Sequence, residues 1–346
     1  MSSQLTIKEV ILETHNTKSF VLETPKDFPI TYKAGQFISL IHPENNKIRR
    51  SYSFASCPQT EAPKITVKRV NNGALSRYLF DLTQVGDTFH YSQIGGLFTV
   101  TDEDLINPKQ QFIFFAAGSG ITPCISMIKQ LIPMLKPEQR IRLIYSNNSK
   151  ASTIFFDELS ALEEQHPQFK IEWLFSDSEN LLKSRLNNFL LIDFLEEWME
   201  GLEKKDFQYY ICGPIDYMDT ITITLLTEGF KTEQIRKEVF YNPHTDTFKK
   251  PLPPDKETRF AAISFKGKNY KIEVPYPKSI LQAANDYGIE LPFSCESGQC
   301  GSCIATLKEG EIWMSYNEVL TDRDFKKGLR LTCTGHPVGG DIDIEY

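Results

Sequence analysis

The chain has 346 residues, 40% hydrophobic and 24% charged, a composition typical of a globular protein large enough for two or three domains. Its formal net charge of −7 argues against nucleic acid as a partner, because phosphate binding needs a basic patch. The N-terminus lacks a basic stretch followed by an apolar one, and no run approaches about 18 apolar residues. We therefore expect no signal peptide, no membrane insertion and a cytoplasmic location.

The first hundred residues predict an antiparallel β barrel or sandwich, assigned to residues 1–106. Short segments of alternating apolar and polar residues are separated by Gly, Pro and Asn turns. The predicted strands are TIKEVILET, GQFISLIH, SYSFAS, KITVKRV and DTFHYS. The segment NNGALSRYLFDL predicts a turn that continues into one short helix.

The strand RRSYSFAS in this region carries a candidate site for a phosphate and an aromatic ring. Arg50 and Tyr52 share one face of an extended strand. A guanidinium that pairs with a pyrophosphate would then lie beside a ring that stacks on an aromatic system. Ser53 would hydrogen-bond to the edge of that system. A surface arginine and a packed tyrosine explain this tetrapeptide equally well when it is taken alone.

Residues 107–243 predict an α/β domain with a parallel sheet. Apolar segments of strand length alternate with segments of helical periodicity. The predicted strands are QFIFFAAG, IRLIYS, KIEWLFS and FQYYICG, and the predicted helices are TPCISMIKQLIPML, STIFFDELSALEEQ, NNFLLIDFLEEWMEG and IDYMDTITITLLTEG. Ligands of such sheets bind beyond the carboxyl ends of the strands.

Two turns follow predicted strands of this domain, GSGITP at 118–123 and CGP at 212–214. In the first, Thr122 is expected to cap the next helix and Pro123 to occupy its first position, which leaves N–H groups free for a pyrophosphate. A tight turn that binds nothing is the alternative for either turn alone. Two such turns at strand ends favour a shared ligand.

Residues 244–258 predict a linker. The surrounding sequence NPHTDTFKKPLPPDKET is rich in proline and has no hydrophobic periodicity. A semi-rigid tether is favoured over a recognition segment for a proline-binding partner.

The remaining segment, 259–346, contains four cysteines with the spacing of an iron–sulfur site. They follow the pattern C-x4-C-x2-C, and 29 residues separate the third from the fourth. Structural zinc sites favour paired C-x2-C units, and unligated core thiols are the other alternative. The spacing therefore predicts a 2Fe–2S cluster. Its predicted ligands are Cys295, Cys300, Cys303 and Cys333.

The surroundings of these cysteines resemble the plant-type ferredoxins. SILQAANDYGIELPFSCESGQCGSC resembles the helix-then-loop approach of that family, and GEIWMSYNEVLTDRDFKKGLRLTCTGHP resembles its stretch between the third and fourth cysteines. FAAISFKGKNYKIEVP predicts an opening hairpin around a Gly-Lys-Asn turn. One helix face is predicted from Ile280, Leu281, Ala284 and Tyr287. The resemblance implies an α+β ferredoxin domain of the β-grasp type.

The rest of the chain resembles the ferredoxin–NADP reductase superfamily. RRSYSFAS contains its R-x-Y-S flavin motif, VKRVNNGALS resembles its second flavin segment, and GGLF matches the segment that ends its barrel. GSGITP and CGP match the segments that bind the pyrophosphate and lie beside the nicotinamide, and EVFYNP resembles the E-x-F closure over the flavin. The resemblance implies NAD(P)H and favours FAD over FMN.

The resemblance also nominates site residues. The flavin-binding set is Arg50, Tyr52, Ser53, Lys68, Gly73, Leu75 and Ser76. The nucleotide-binding set is Gly118, Ser119, Gly120, Thr122, Pro123, Cys212, Gly213, Pro214 and Met218. Thr122, Glu238 and Phe240 are expected at the reacting contact, with Phe240 shielding the flavin until nicotinamide displaces it.

The domain order resembles the reductase components of bacterial oxygenases, including those of phenylacetyl-CoA epoxidase and ketosteroid hydroxylases. It implies electron flow from NAD(P)H through FAD and the cluster to an oxygenase, hydroxylase or desaturase, with the phenylacetyl-CoA system as first candidate. One alternative is a stand-alone NAD(P)H oxidase or diaphorase. Another is a metal-bound interaction module without an electron role.

The choice of coenzyme depends on the residues that follow the second and third strands of the α/β domain. NADP-preferring relatives commonly carry arginine there, whereas this chain has YSNNSK and FSDSEN, which place Asn147, Asn148 and Asp177 in those positions. A carboxylate repels a 2′-phosphate, so NADH is favoured. Lys150 and Arg185 remain as alternative partners for that phosphate.

Overall fold

The computed structural model describes residues 3–25, 29–179, 184–240 and 251–346. Two compact units make up the chain, Met1–Glu238 and Val239–Tyr346. The predicted linker begins outside the described residues, and its part from 251 to 258 contains neither helix nor strand. Within the described ranges, no helix is both long and apolar enough to cross a lipid bilayer.

The first unit opens with a six-stranded antiparallel sheet. Its elements are β1 (Ser3–Thr14), β2 (Thr17–Glu23), β3 (Phe37–His42), β4 (Asn45–Ser53), β5 (Lys64–Lys68), α1 (Ala74–Asp81) and β6 (Thr88–Gly95). The strand order is β4-β3-β6-β1-β2-β5, and a bridge between Phe54 and Ile65 joins the two edges into a barrel. The predicted barrel and short helix are confirmed. Strand β2 is not predicted, because the buried polar residues Thr17 and Ser19 interrupt its apolar pattern.

A five-stranded parallel sheet with helices forms the rest of this unit. Its elements are β7 (Gln111–Ala117), α2 (Ile121–Leu131), β8 (Arg140–Asn147), α3 (Phe156–Gln165), β9 (Phe169–Phe175), α4 (Asn188–Trp198), β10 (Phe207–Cys212), α5 (Ile215–Thr227) and β11 (Ile235–Glu238). The order is β11-β10-β7-β8-β9. Ala34, Ala55 and Phe98 of the barrel region belong to the same buried apolar cluster as α2, so barrel and sheet share one core. The predicted parallel sheet is confirmed.

The second unit holds a mixed five-stranded sheet with a helix against it. Its elements are β12 (Arg259–Phe265), β13 (Lys268–Val274), α6 (Ile280–Asp286), β14 (Ile304–Glu309), β15 (Ile312–Met314), α7 (Asp322–Lys326), β16 (Leu329–Leu331), β17 (Gly335–Pro337) and β18 (Ile342–Glu345). The large sheet has the order β13-β12-β18-β14-β16, and β15 pairs with β17. This is the predicted α+β ferredoxin architecture.

Two local predictions in this unit are wrong. The opening hairpin turns at Lys266–Gly267, one residue earlier than predicted, because Lys268 already pairs with Phe265. The predicted helix face is correct except for Tyr287. Since α6 ends at Asp286, Tyr287 lies beyond it and is 54% exposed.

Candidate functional site

The R-x-Y-S segment forms the last residues of β4. Arg50 is exposed and its Nη1 donates a hydrogen bond to the backbone oxygen of Arg49 at 2.7 Å. Tyr52 packs against the barrel core, and burial raises the pKa of its phenol. Ser53 is buried, and its hydroxyl donates to Oε1 of Glu238 at 3.2 Å. The strand therefore offers an exposed cation, a half-buried ring and a buried hydroxyl in succession.

The second predicted flavin segment spans the end of β5 and the start of α1. Lys68 is the last residue of β5, and Gly73 is the residue before α1. Leu75 and Ser76 are buried, and the Ser76 hydroxyl donates to the backbone oxygen of Gly73 at 3.3 Å. No side chain caps the N-terminus of α1, all of whose residues are described, so the first-turn N–H groups are available to an anion.

The two turns of the α/β part meet at the carboxyl edge of the sheet. Strands β7 and β10 are parallel neighbours, so the turns that follow them lie side by side. Gly120 touches the second turn so closely that a Cβ there would lie 2.0 Å from the backbone oxygen of Cys212. Gly118 has a φ of +54°, and its Cβ position lies 3.8 Å from Nζ of Lys68. Residues from both predicted nucleotide turns and from the flavin segment are thus close together.

The predicted start of α2 is wrong by two residues. The helix begins at Ile121, and Gly118–Gly120 form one 3₁₀ turn before it. Thr122 is therefore inside the first turn and does not cap it; its hydroxyl donates to the backbone oxygen of Ser119 at 3.1 Å. Pro123 occupies the third helical position, not the first. The glycine-rich turn tightens into 3₁₀ geometry, which moves the helix start toward the glycines.

Glu238 lies at the edge formed by these turns. It ends β11 and pairs in register with Cys212 of β10. Burial raises the pKa of Glu238 to about 8, and the hydrogen bond from Ser53 offsets part of that rise. Its second oxygen, Oε2, is buried and has no hydrogen-bond partner in the described chain. A protonated carboxyl at this position can donate a hydrogen bond to a bound group.

Three further nominated residues are Met218, Phe240 and Gly213. Met218 is buried in α5, and its N–H donates to the backbone oxygen of Pro214, the residue before that helix. Phe240 belongs to the second unit and is 37% exposed. A Cβ at Gly213 would lie 3.0 Å from the Cβ of Ala117, so glycine lets the second turn approach the end of β7 closely.

The four predicted cluster ligands converge in the second unit as two pairs. Hydrogen-bond contact with Cys300 lowers the pKa of Cys295 to about 5, and Cys333 is in hydrogen-bond contact with Cys303. The Ser297 amide donates to Sγ of Cys295 at 3.4 Å. Gly298 has a φ of +83°, and a Cβ there would lie 2.7 Å from the backbone oxygen of Tyr316. The loop therefore needs glycine at this position.

The donor set, four thiols in two contacting pairs, fits a 2Fe–2S group. In the part of the chain that the structure describes, three or more His, Cys, Asp or Glu side chains nowhere form a site for one metal ion. A 2Fe–2S group instead takes two thiolates on each iron. All seven cysteines are free thiols, so none of the four is withdrawn into a disulfide. The buried Ser297 hydroxyl has no well-formed hydrogen bond and can donate to a bound sulfur.

Sequence reasoning missed one pocket, which lies beside α1. It has a volume of about 270 Å³ and is lined by His42, Ala74, Arg77, Tyr78, Asp81 and Leu82. The helical residues lie three or four apart, so they share one face. The ring of His42 meets Tyr78 edge-on at 5.0 Å. The i, i+3, i+4 spacing of Ala74, Arg77 and Tyr78 could have indicated one wall of this pocket. The other wall includes His42 of β3, which is remote in sequence.

Comparison with known proteins matches three parts of the chain to domain families. The oxidoreductase FAD-binding domain family matches residues 4–97, the oxidoreductase NAD-binding domain family matches 114–222, and the 2Fe-2S iron-sulfur cluster binding domain family matches 263–338. The fold and sites thus define an oxidoreductase with FAD-binding, NAD-binding and 2Fe–2S cluster-binding domains.

Relatives of nearly full length are reductase components of oxygenases. The chain is 32% identical to the ferredoxin reductase component of 3-ketosteroid-9-alpha-monooxygenase from Rhodococcus rhodochrous, over 99% of this chain and 96% of that protein. It is 27% identical to one subunit of the 1,2-phenylacetyl-CoA epoxidase from Escherichia coli, over 99% and 97%. The structure of phthalate dioxygenase reductase matches with a TM-score of 0.62 and 27% identity, over 100% of this chain and 98% of that one. The chain belongs to the family of oxygenase reductase components.

Proposed function

We propose that this protein takes electrons from NAD(P)H and delivers them singly to a separate oxygenase, hydroxylase or desaturase. The observation that carries the proposal is a group of four thiols in the same chain as a nucleotide edge and a Ser53–Glu238 hydrogen bond. Bound FAD would supply the conversion between the two-electron chemistry of a nicotinamide and the one-electron chemistry of a 2Fe–2S cluster. The protein supplies binding, orientation and electrostatics. We propose a cytoplasmic location, where NAD(P)H is supplied.

The proposal gives roles to the nominated residues other than Lys68. Arg50 pairs with the flavin pyrophosphate, Tyr52 lies against the ring system, and the backbone from Gly73 to Ser76 approaches the phosphates, with the amides of Ala74 to Ser76 as donors. Gly118, Ser119, Gly120 and Pro123 shape the turn for the coenzyme pyrophosphate, and Cys212–Pro214 with Met218 border the nicotinamide. Ser53, Thr122 and Glu238 line the reacting contact, and for Phe240 we keep the shielding role that the family resemblance implies. The four cysteines bind the irons.

We propose four segments for this work: 1–106 for FAD, 107–243 for NAD(P)H, 244–258 as a tether and 259–346 for the cluster. A tethered carrier can receive an electron and then present it to another protein. The proposed docking loop is Ser294–Ser302, which is flanked by Glu290 and carries Glu296. Basic residues on the acceptor would be steered to these carboxylates, and added salt would weaken the encounter.

NADH is the proposed coenzyme. The amides of Ser176 and Asp177 donate to the backbone oxygens of Asn147 and Asn148, each at 3.0 Å. These bonds support a carboxylate beside the ribose position, where it would repel a 2′-phosphate. We expect kcat/KM to be higher with NADH than with NADPH. The Asp177→Asn variant should reduce this difference. A tenfold preference of the wild type for NADPH, about 1.4 kcal/mol, would contradict this.

Reconstituted turnover tests the delivery role. Purified oxygenase is supplied with NAD(P)H and either the intact protein or a chain truncated after Lys256. Phenylacetyl-CoA epoxidase is the first acceptor to try and 3-ketosteroid-9-alpha-monooxygenase the second, because relatives of this chain are named for them. We expect the truncated chain to keep NAD(P)H-dependent ferricyanide reduction and to lose oxygenase turnover.

The outcome separates the alternatives. If the truncated chain supports turnover as well as the intact one, the cluster segment is not the delivery arm. If the intact protein oxidises NAD(P)H at the same rate with and without any oxygenase, the diaphorase alternative is favoured. Cys300→Ser provides a second test of delivery, because it removes one cluster ligand without removing a domain.

A further inference from the structure

A fully buried threonine connects the two cysteines of the second thiol pair. Thr332 immediately precedes Cys333 and is 0% exposed. Its amide donates to the backbone oxygen of Cys303 at 3.1 Å, and its hydroxyl donates to the same oxygen at 3.0 Å. Its own carbonyl accepts from the amide of Leu281 in α6. One residue therefore fixes Cys303 relative to both Cys333 and the helix.

The hydroxyl of Thr332 has a second neighbour, the phenol of Tyr346 at 2.6 Å. The direction of this hydrogen bond follows from counting protons. A carbonyl oxygen can only accept, so the single hydroxyl proton of Thr332 is committed to Cys303. The phenol of Tyr346 must then donate to Thr332. The result is a directed chain, Tyr346 to Thr332 to Cys303, in which each hydrogen bond polarises the next.

Tyr346 is held independently of the cysteine loop. Its amide donates to the backbone oxygen of Ser264 at 3.0 Å, and its ring meets Phe265 edge-on at 5.6 Å. Both contacts come from the end of β12, on the opposite side of β18 from β14 in the sheet order. The phenol is thus anchored to the rigid sheet, and through Thr332 it restrains the loop.

We propose that Tyr346 and Thr332 are positioning residues that fix the spacing of Cys303 and Cys333, one of the two thiol pairs that would hold the cluster. The inference rests on the cluster assignment within the proposed function, but not on the identity of the electron acceptor. Without the hydrogen bond from the Thr332 hydroxyl, the carbonyl of Cys303 keeps only the hydrogen bond from the Thr332 amide. Cys303 and Cys333 can then separate more easily. Iron release should therefore become faster, while the fold of the sheet is retained.

The test measures iron transfer from the intact holoprotein to a chromogenic chelator. Tyr346→Phe removes only the phenol oxygen, and we expect release about two- to tenfold faster, the factor for one lost hydrogen bond. Thr332→Val should show at least that increase, and Thr332→Ser, which keeps a hydroxyl, should stay near wild type. The double variant should release iron no faster than Thr332→Val, because that substitution alone already breaks the hydrogen-bond chain. The EPR spectrum of the reduced cluster should change in the same variants.

Tyr287→Phe is the matched control, because this tyrosine is exposed and lies in the same unit. If Tyr346→Phe releases iron at the wild-type rate and its EPR spectrum is unchanged, this inference is overturned while the proposed function still stands. Additive effects in the double variant would also overturn it, since they would mean that the two residues act separately. Wild-type protein that contains no iron would overturn the proposed function as well.

Discussion

At the scale of single residues, the fold shifts the charge state of Glu238. Its Oε2 is buried, although solvent reaches other parts of the side chain. Because burial disfavours the carboxylate, its pKa rises from an ordinary 4.5 to about 8 in the folded protein. The folded state thus keeps a proton that the unfolded chain releases in mild acid. The associated stabilisation is complete below about pH 4.5 and is lost as the pH rises through about 8.

Glu238→Gln should flatten this pH dependence. The free energy of unfolding of the flavin-free wild type should fall between pH 5 and pH 9, by about 1.4 kcal/mol for each unit of pKa shift. The variant should lack that fall, because an amide cannot ionise. Chemical denaturation at several pH values provides the measurement, with the exposed Glu23→Gln as control. A wild-type profile that is flat over this range would show that the carboxyl ionises normally.

The motif E-x-F nominated Glu238, but no sequence signal could predict its environment. Its hydrogen-bond donor, Ser53, is 185 positions away. Its register partner Cys212 comes from a different strand. Burial, pairing and pKa emerge only when three remote segments meet, whereas the local cysteine spacing alone was enough to predict the cluster ligands.

At the scale of elements, the contact between two turns is the feature most sensitive to substitution. Gly120→Ala would place a methyl group 2.0 Å from the backbone oxygen of Cys212, so the turns must separate. We expect a loss of about 3 kcal/mol or more in unfolding free energy, and weaker coenzyme binding. Gly118→Ala is the matched control. A Cβ at Gly118 meets no close contact, so this variant should lose only about 1–2 kcal/mol of unfolding free energy, because alanine is strained in a left-handed backbone conformation.

Denaturation and coenzyme titration of the two variants provide the comparison. Equal losses of unfolding free energy in both variants would mean that the backbone conformation of the glycines, rather than the close approach of Gly120 to Cys212, determines the cost of substitution. Wild-type coenzyme affinity in Gly120→Ala would contradict the role proposed for the paired turns.

Periodicity predicted most elements, and the exceptions have physical causes. Strand β11 has only four residues, too few for its pattern to stand out, and it is held by pairing with β10. Strand β2 was missed because Ser19 is buried in a hydrogen bond with Thr66 of the neighbouring β5. The start of α2 depends on whether the glycines take 3₁₀ geometry, which propensity does not determine.

At the scale of the whole molecule, the two compact units should respond separately to loss of their cofactors. The buried apolar clusters of the barrel and the parallel sheet draw only on residues of the first unit. Removing iron with a chelator should lower the melting temperature of the second unit alone. Added FAD should raise that of the first alone, because a ligand stabilises the state that binds it. Differential scanning calorimetry would detect this as two transitions, whereas a single transition that moves with either treatment would contradict it.

The burial of the cysteines has a practical consequence for anyone who purifies this protein. Cys57, Cys124 and Cys212 are enclosed, and burial raises the pKa of Cys124 and Cys212 well above its usual value, so these two remain unreactive thiols. Of the seven cysteines, all of which the structure describes, Cys295 and Cys300 are partly exposed and the other five are buried; both exposed ones are proposed iron ligands. An alkylating reagent applied without denaturant should therefore label fully loaded protein hardly at all, and iron-free protein at these two positions. The number of labels per chain then reports the fraction of molecules that have lost their iron.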